Sequence, residues 1–173
     1  LLENGVECYH CTHVHPDFCT SLDVAQMSGY YAEDYEPDLV QGIIIPVKHG
    51  LETLSIGGNY VSKKLLGEFG RGVPVPDGFG AGFMTQPGYC WSDFHPDHGF
   101  VGNCLPVSPT KSIMVCQWFV REDAVEGVDY IVEDMIKLWD VTGREDLAIL
   151  DRQQAGLRSS RYEPGPNSPT QEP

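Results

Sequence analysis

Positive charge is scarce in this 173-residue chain: 11 Lys and Arg stand against 25 Asp and Glu, a formal net charge of −14. That imbalance repels phosphate backbones and anionic headgroups, so no nucleic acid and no membrane is expected as a partner. Long apolar runs are missing too. None approaches the ~18 residues of a membrane span, and Leu1-Leu2-Glu3 lacks the basic start of a secretory signal, so a cytoplasmic protein is expected. Six cysteines, at 8, 11, 19, 90, 104 and 116, are few for a disulfide-dependent scaffold in a chain long enough to bury its own core. Reduced thiols are expected, with Cys116 a small hydrophobe inside an apolar strand. The Gly- and Pro-rich stretch 67–88 lacks the preceding strand and following helix of a phosphate-cradling loop, and reads as plain loop.

The chemistry that is present crowds into residues 4–16. His10, His13 and His15, the thiols of Cys8 and Cys11, and the carboxylate of Glu7 are close neighbours there, and His and Cys are the side chains that hold transition metals. Glu7 and His10 would share a helical face. His15 falls off that stripe unless the helix is distorted or ends, and Pro16 supports an ending. Two imidazoles from one segment are part of a 2-His-1-carboxylate site, which holds non-heme Fe(II) and needs a carboxylate from elsewhere. Cys8-x-x-Cys11 supports structural zinc instead, although no second Cys/His pair follows at short spacing. This stretch by itself leaves zinc and iron open. His13 reads as exposed or supporting, His95 and His98 as solvated turn residues, and Tyr9 as core. Trp91, Phe94, Trp118 and Phe119 read as strand aromatics packed in the core.

Along the chain, 17–38 is irregular, while 40–47 and 51–56 are strand candidates, followed by a turn at Gly57-Gly58-Asn59. Strands are predicted over 89–94, 100–107 and 112–121, joined by the turns 95–99 and 108–111, which implies an antiparallel meander. A helical period begins after Gly127, through Val128, Ile131, Met135 and Leu138. Thr142-x-x-Glu145 matches a capping box that would start a second helix at Gly143 and run to about Gly156. In that reading Glu145 reaches back to the Thr142 backbone, leaving Asp146 in the first turn, facing inward with Leu147 and Leu150. The order of elements defines an α+β domain spanning 1–173.

Two separated segments carry a resemblance. Glu3-Asn4-x-x-Glu7-Cys8-Tyr9-His10, with His15 and Pro16, resembles the iron-binding segment of Rieske non-heme iron oxygenase large subunits. Asp140 to Asp146, then Gln154-x-Gly156-Leu157-x-Ser159 and Tyr162-x-Pro164-Gly165-Pro166, resembles the later segment that supplies the carboxylate ligand. The resemblance implies a catalytic helix-grip (START-like/SRPBCC) domain, a curved antiparallel sheet on helices with mononuclear iron between. Fe(II) would sit on His10, His15 and Asp146, serving O2-dependent hydroxylation of an organic, aromatic or related, substrate. Asn4 would lie close to the metal without being a firm ligand. Glu7 matches the acidic residue that links a neighbouring subunit's cluster histidine to His10, which implies a homotrimer. Electrons would come from a Rieske [2Fe–2S] cluster, fed by NAD(P)H through a reductase or ferredoxin. Such a cluster needs C-x-H and C-x-x-H, and no cysteine here is followed by histidine three positions on, so the chain is expected to be the catalytic part of a longer protein. Two alternatives accompany this reading: oxidative N-demethylation of a quaternary amine such as glycine betaine, and a helix-grip ligand-binding module with structural zinc.

Overall fold

The computed structural model describes residues 8–26, 28–30, 40–44, 46–85 and 90–166. Two short helices, α1 (Cys11–Val14) and α2 (Phe18–Ser21), come first, followed by a 3-10 turn at Val24–Gln26. The strands β1 (Ser28–Tyr30), β2 (Val40–Ile44), β3 (Ala81–Thr85), β4 (Cys90–Phe94), β5 (Gly99–Ser108) and β6 (Lys111–Phe119) form one antiparallel sheet in sequence order. The chain then enters its one long helix among the described residues, α3 (Val132–Leu157). An α+β architecture with an open meander results.

Register explains which residues meet. β4 to β5 pairs Asp93 with Phe100, and β5 to β6 pairs Phe100 with Trp118, so these three share one face of the sheet. Phe100, 1 % exposed, stacks on Trp139 of α3 with ring centroids 4.7 Å apart, which identifies that face as the one the helix covers. Along β5, Phe100, Gly102 and Cys104 are buried and alternate with half-buried Val101 and Asn103. A Cβ on Gly102 would stand 2.8 Å from Met114 Cε and 3.1 Å from Trp91 Cε2, so its missing side chain is what admits both neighbours. Met135, Leu138 and Thr142 are the buried positions of α3, at three- and four-residue steps. Leu138 closes on a cluster of Cys8, Cys11, Phe18, Leu22, Val47 and Leu54, which ties the N-terminal helices to the base of α3.

Several sequence expectations need correction. Ala81–Thr85, placed in a loop for its glycines, is a central strand because β2 and β4 offer ladder partners on both sides. Residues 51–56 form no strand. The N–H groups of Glu52 and Thr53 donate to Gly58 O, and Gly57 and Gly58, at φ 85° and 74°, fold the segment into a compact turn. Within 17–38, α2, the 3-10 turn and β1 replace an irregular connection, and 31–39 lies outside the described residues. Cys8 and Cys11 form a disulfide rather than free thiols, because the turn before α1 brings their Cα atoms to 5.0 Å. Cys116 is exposed. Helix formation starts at Val132, leaving Val128 and Ile131 exposed ahead of it, and α3 runs through Thr142 without a break. Trp91 and Trp118 pack against Phe100, whereas Phe94 and Phe119 point to solvent.

Candidate metal centre

The two histidines bracket α1. His10 caps its start and His15 its end, where φ −117° and ψ 69° leave the helical conformation and turn the ring back. Their imidazoles meet edge to face with centroids 5.1 Å apart. The disulfide and the buried Phe18 hold this bracket to the core, and His15 N–H donates to Cys11 O at 2.8 Å. An irregular end to the helix is therefore what lets residues five apart converge.

The carboxylates arrive from α3. His15 Nε2 lies 3.0 Å from Asp146 Oδ1, and His10 Nε2 lies 3.5 Å from the same oxygen. One donor atom from each of His10, His15 and Asp146 falls within 4.8 Å of the others. For metal–ligand bonds of about 2.1 Å, cis donors of an octahedron stand about 3.0 Å apart. Two imidazole nitrogens and one carboxylate oxygen at these separations thus match the donor set of a facial triad. Zinc's thiolate preference is not served here, since Cys8 and Cys11 are bonded to each other.

Glu145 overturns the capping-box reading. Thr142 sits in mid-helix with its hydroxyl buried and unpartnered, and Glu145 does not reach back to it. Instead His15 Nδ1–H donates to Glu145 Oε2 at 2.9 Å. A carboxylate on the second nitrogen fixes the tautomer and the ring plane and leaves Nε2 for a metal. Burial pulls the His15 imidazole down, but hydrogen bonds to Asp146 and Glu145 and the Asp146 charge more than offset it and raise the ring above its usual value. Asp146 is also mid-helix, so no helix-end dipole keeps it charged, and Leu147 is 58 % exposed rather than on the buried side. The only signal for Glu145 in the sequence was its adjacency to Asp146.

Asn4 and Glu7 lie outside the described residues. His13 is exposed, its Nδ1 2.9 Å from the Thr12 hydroxyl. Tyr9, expected in the core, is 46 % exposed. His95 and His98 are buried, not solvated. Between them Asp97 accepts from Thr53 Oγ1 (2.6 Å), His98 Nδ1 (3.0 Å), Val61 N–H (2.8 Å) and Ser62 N–H (3.2 Å), clipping loop 51–66 onto the β4–β5 turn. Burial works against its charge, yet these donors hold the Asp97 carboxyl below its ordinary range. Sequence reasoning missed this clip because three of its four donors are 35 to 44 residues away.

Comparison with known proteins defines the class. Residues 1–173 match the family described as the ring hydroxylating alpha subunit (catalytic domain), and the chain belongs to that family of Rieske non-heme iron oxygenase catalytic domains. Membership places it among oxidoreductases. Among individual relatives, the glycine betaine monooxygenase oxygenase subunit of Chromohalobacter salexigens is 30% identical over 196 residues, covering 99% of this chain and 43% of the relative. Proteins of the same description from two Pseudomonas aeruginosa strains are each 29% identical over 198 residues, covering 99% of this chain and 44% of the relative. The chain therefore spans less than half the length of the curated relatives it matches. Among the described residues no helix is long and apolar enough to cross a membrane.

Proposed function

We propose that this chain is the iron-bearing part of an oxygenase that oxidises a small quaternary amine such as glycine betaine by N-demethylation. The observation that carries the metal assignment is the convergence of His10, His15 and Asp146 on one point, from segments some 130 residues apart. The relatives' names support the substrate class over an aromatic hydrocarbon. In this reading the sheet and α3 form the helix-grip arrangement, with the metal held beside the middle of the helix. Bound Fe(II) would supply the activation of O2 with two electrons delivered from a Rieske cluster.

The residues of the chain bind and orient. With a metal bound, His10 and His15 would present their Nε2 atoms, Asp146 would supply the charge that favours a divalent ion, and Glu145 would keep the His15 proton on Nδ1. Hydroxylation of one N-methyl group, with loss of that carbon as formaldehyde, consumes one O2, two electrons and two protons and leaves the dimethylated amine and water. Glu7 is assigned the bridge to the cluster histidine of a neighbouring subunit and Asn4 a place beside the metal. The working enzyme is then a cytoplasmic homotrimer fed by a reductase or ferredoxin from NAD(P)H. Family membership supports the redox reading over the non-redox zinc module.

Anaerobic titration with Fe(II), followed by metal analysis after gel filtration, tests the assignment. One equivalent of ferrous iron retained, and released by Asp146→Ala, is the expected result. Zinc that resists ferrous exchange would remove the oxygenase assignment from this site.

A further inference from the structure

The layer between α3 and the sheet contains polar atoms that an ordinary apolar core would exclude. Among the described residues seven buried side-chain N or O atoms have no hydrogen-bond partner, and four belong to this layer. They are Asp93 Oδ2, Trp118 Nε1, Trp139 Nε1 and Thr142 Oγ1. Native proteins leave few such groups because each forfeits its hydration without a replacement bond, so four in one layer call for a ligand. Burial alone pushes the Asp93 carboxyl up to about 7, the behaviour of an acid waiting for a counter-charge.

The rings around them are arranged on the same face. Trp91 and Asp93, two residues apart on β4, point to one side of the sheet, and the Phe100 centroid lies 6.1 Å from Trp91 and 5.1 Å from Trp118. Trp139 closes the layer from the helix, 6.4 Å from Trp91. Phe100 at the centre is 1 % exposed, whereas all three indoles keep partial exposure. The layer reaches the metal centre: Phe18 bridges Trp139 (5.8 Å) to His15 (6.3 Å). On α3, Trp139, Thr142 and Asp146 share a stripe, with Thr142 about 6 Å of helix rise before Asp146.

We propose that Trp91, Asp93, Trp118, Trp139 and Thr142 form the recognition site for a quaternary-ammonium zwitterion, with Asp93 and the indole faces taking the cation. The proposal rests on the reading that the substrate is oxidised at the His10/His15/Asp146 centre. A cation without N–H groups is recognised by ring faces and an unpaired carboxylate, because it offers no hydrogen to donate. The two indole N–H groups and the Thr142 hydroxyl are donors, matched to the carboxylate at the ligand's other end. A neutral aromatic substrate would leave the Asp93 oxygen orphaned, so this carboxylate is the feature that separates the two substrate classes.

Calorimetric binding to the Fe(II)-loaded protein under nitrogen separates the possibilities, using glycine betaine and its uncharged-head isostere 3,3-dimethylbutyrate. The parent should bind betaine at least about tenfold more tightly than the isostere. Asp93→Asn should bring that ratio toward one, and Trp118→Phe, which keeps a ring and loses the N–H, should weaken both ligands alike. An unchanged ratio in Asp93→Asn, or a parent that binds neither ligand, overturns the site. Iron content measured on the same samples keeps the two readings apart: iron retained without discrimination sinks only the recognition site, whereas loss of iron from the parent sinks the metal assignment.

Discussion

His15 makes its two ring nitrogens do different work, and the division can be tested one residue at a time. With Nε2 beside Asp146 and Nδ1 on Glu145, His15→Ala and His10→Ala should each abolish tight Fe(II) binding, while exposed His13→Ala retains it. Equilibrium dialysis with ferrous ion reads this directly, and equal losses in all three would mean the ligand set is wrong. In the proposed site Glu145 acts through His15 rather than on the metal. Glu145→Ala should therefore weaken iron binding about 10- to 100-fold, and Glu145→Gln, whose amide oxygen still accepts from Nδ1–H, should recover most of it. Asp146→Ala should lose iron outright. Had the order of the two carboxylate variants been reversed, Glu145 would be the ligand and Asp146 its support.

At the scale of elements, the continuity of α3 is what aims Glu145 and Asp146 at the histidines. A helix break at Thr142 would let the second half rotate, and the 2.9 and 3.0 Å contacts to His15 would no longer be set by the packing of Met135 and Leu138. Gly143 lies inside this helix with open space where a Cβ would stand. Gly143→Ala should accordingly stabilise the protein by about 0.5–1 kcal/mol, the helix-interior difference between the two residues. Urea denaturation would show this as a higher midpoint at constant slope, and a lower midpoint would argue that the chain is not helical there. The strands β4 to β6 were legible because β-branched and aromatic residues alternate between short turns. β3 was not, since Ala-Gly-Phe-Met-Thr has weak strand propensity and takes its conformation from the partners on either side.

For the molecule as a whole, buried ionisable groups outside the metal centre set the response to pH. Burial, reinforced by the nearby His98, lowers His95 to about 3, while the unfolded chain protonates it near its ordinary 6.5. Below 6.5 the unfolded state then binds the proton and the folded state does not, so stability contributed by His95 falls as pH drops toward 3. His95→Phe should lose less stability than the parent between pH 6.5 and 4 in paired urea titrations, and parallel curves would show that His95 does not titrate on unfolding. Iron bound at the proposed site would add stability by mass action, so chelation should lower the parent's melting temperature and leave His15→Ala unmoved. The sequence by itself determined the chemistry that is local: a bracket of histidines at residues 10 and 15, their family resemblance, the antiparallel hairpins after residue 89, and a helical region carrying a carboxylate pair. These follow from spacing and propensity, which act over a few residues. Only the tertiary structure decided that Glu145 faces His15, that α3 is unbroken, that His95 and His98 are inside, and that Asp93 Oδ2 is buried without a partner on the sheet face that carries Trp91 and Trp118. Each of those depends on which surfaces pack together across tens of residues, where burial outweighs a local capping or turn preference worth about 1 kcal/mol.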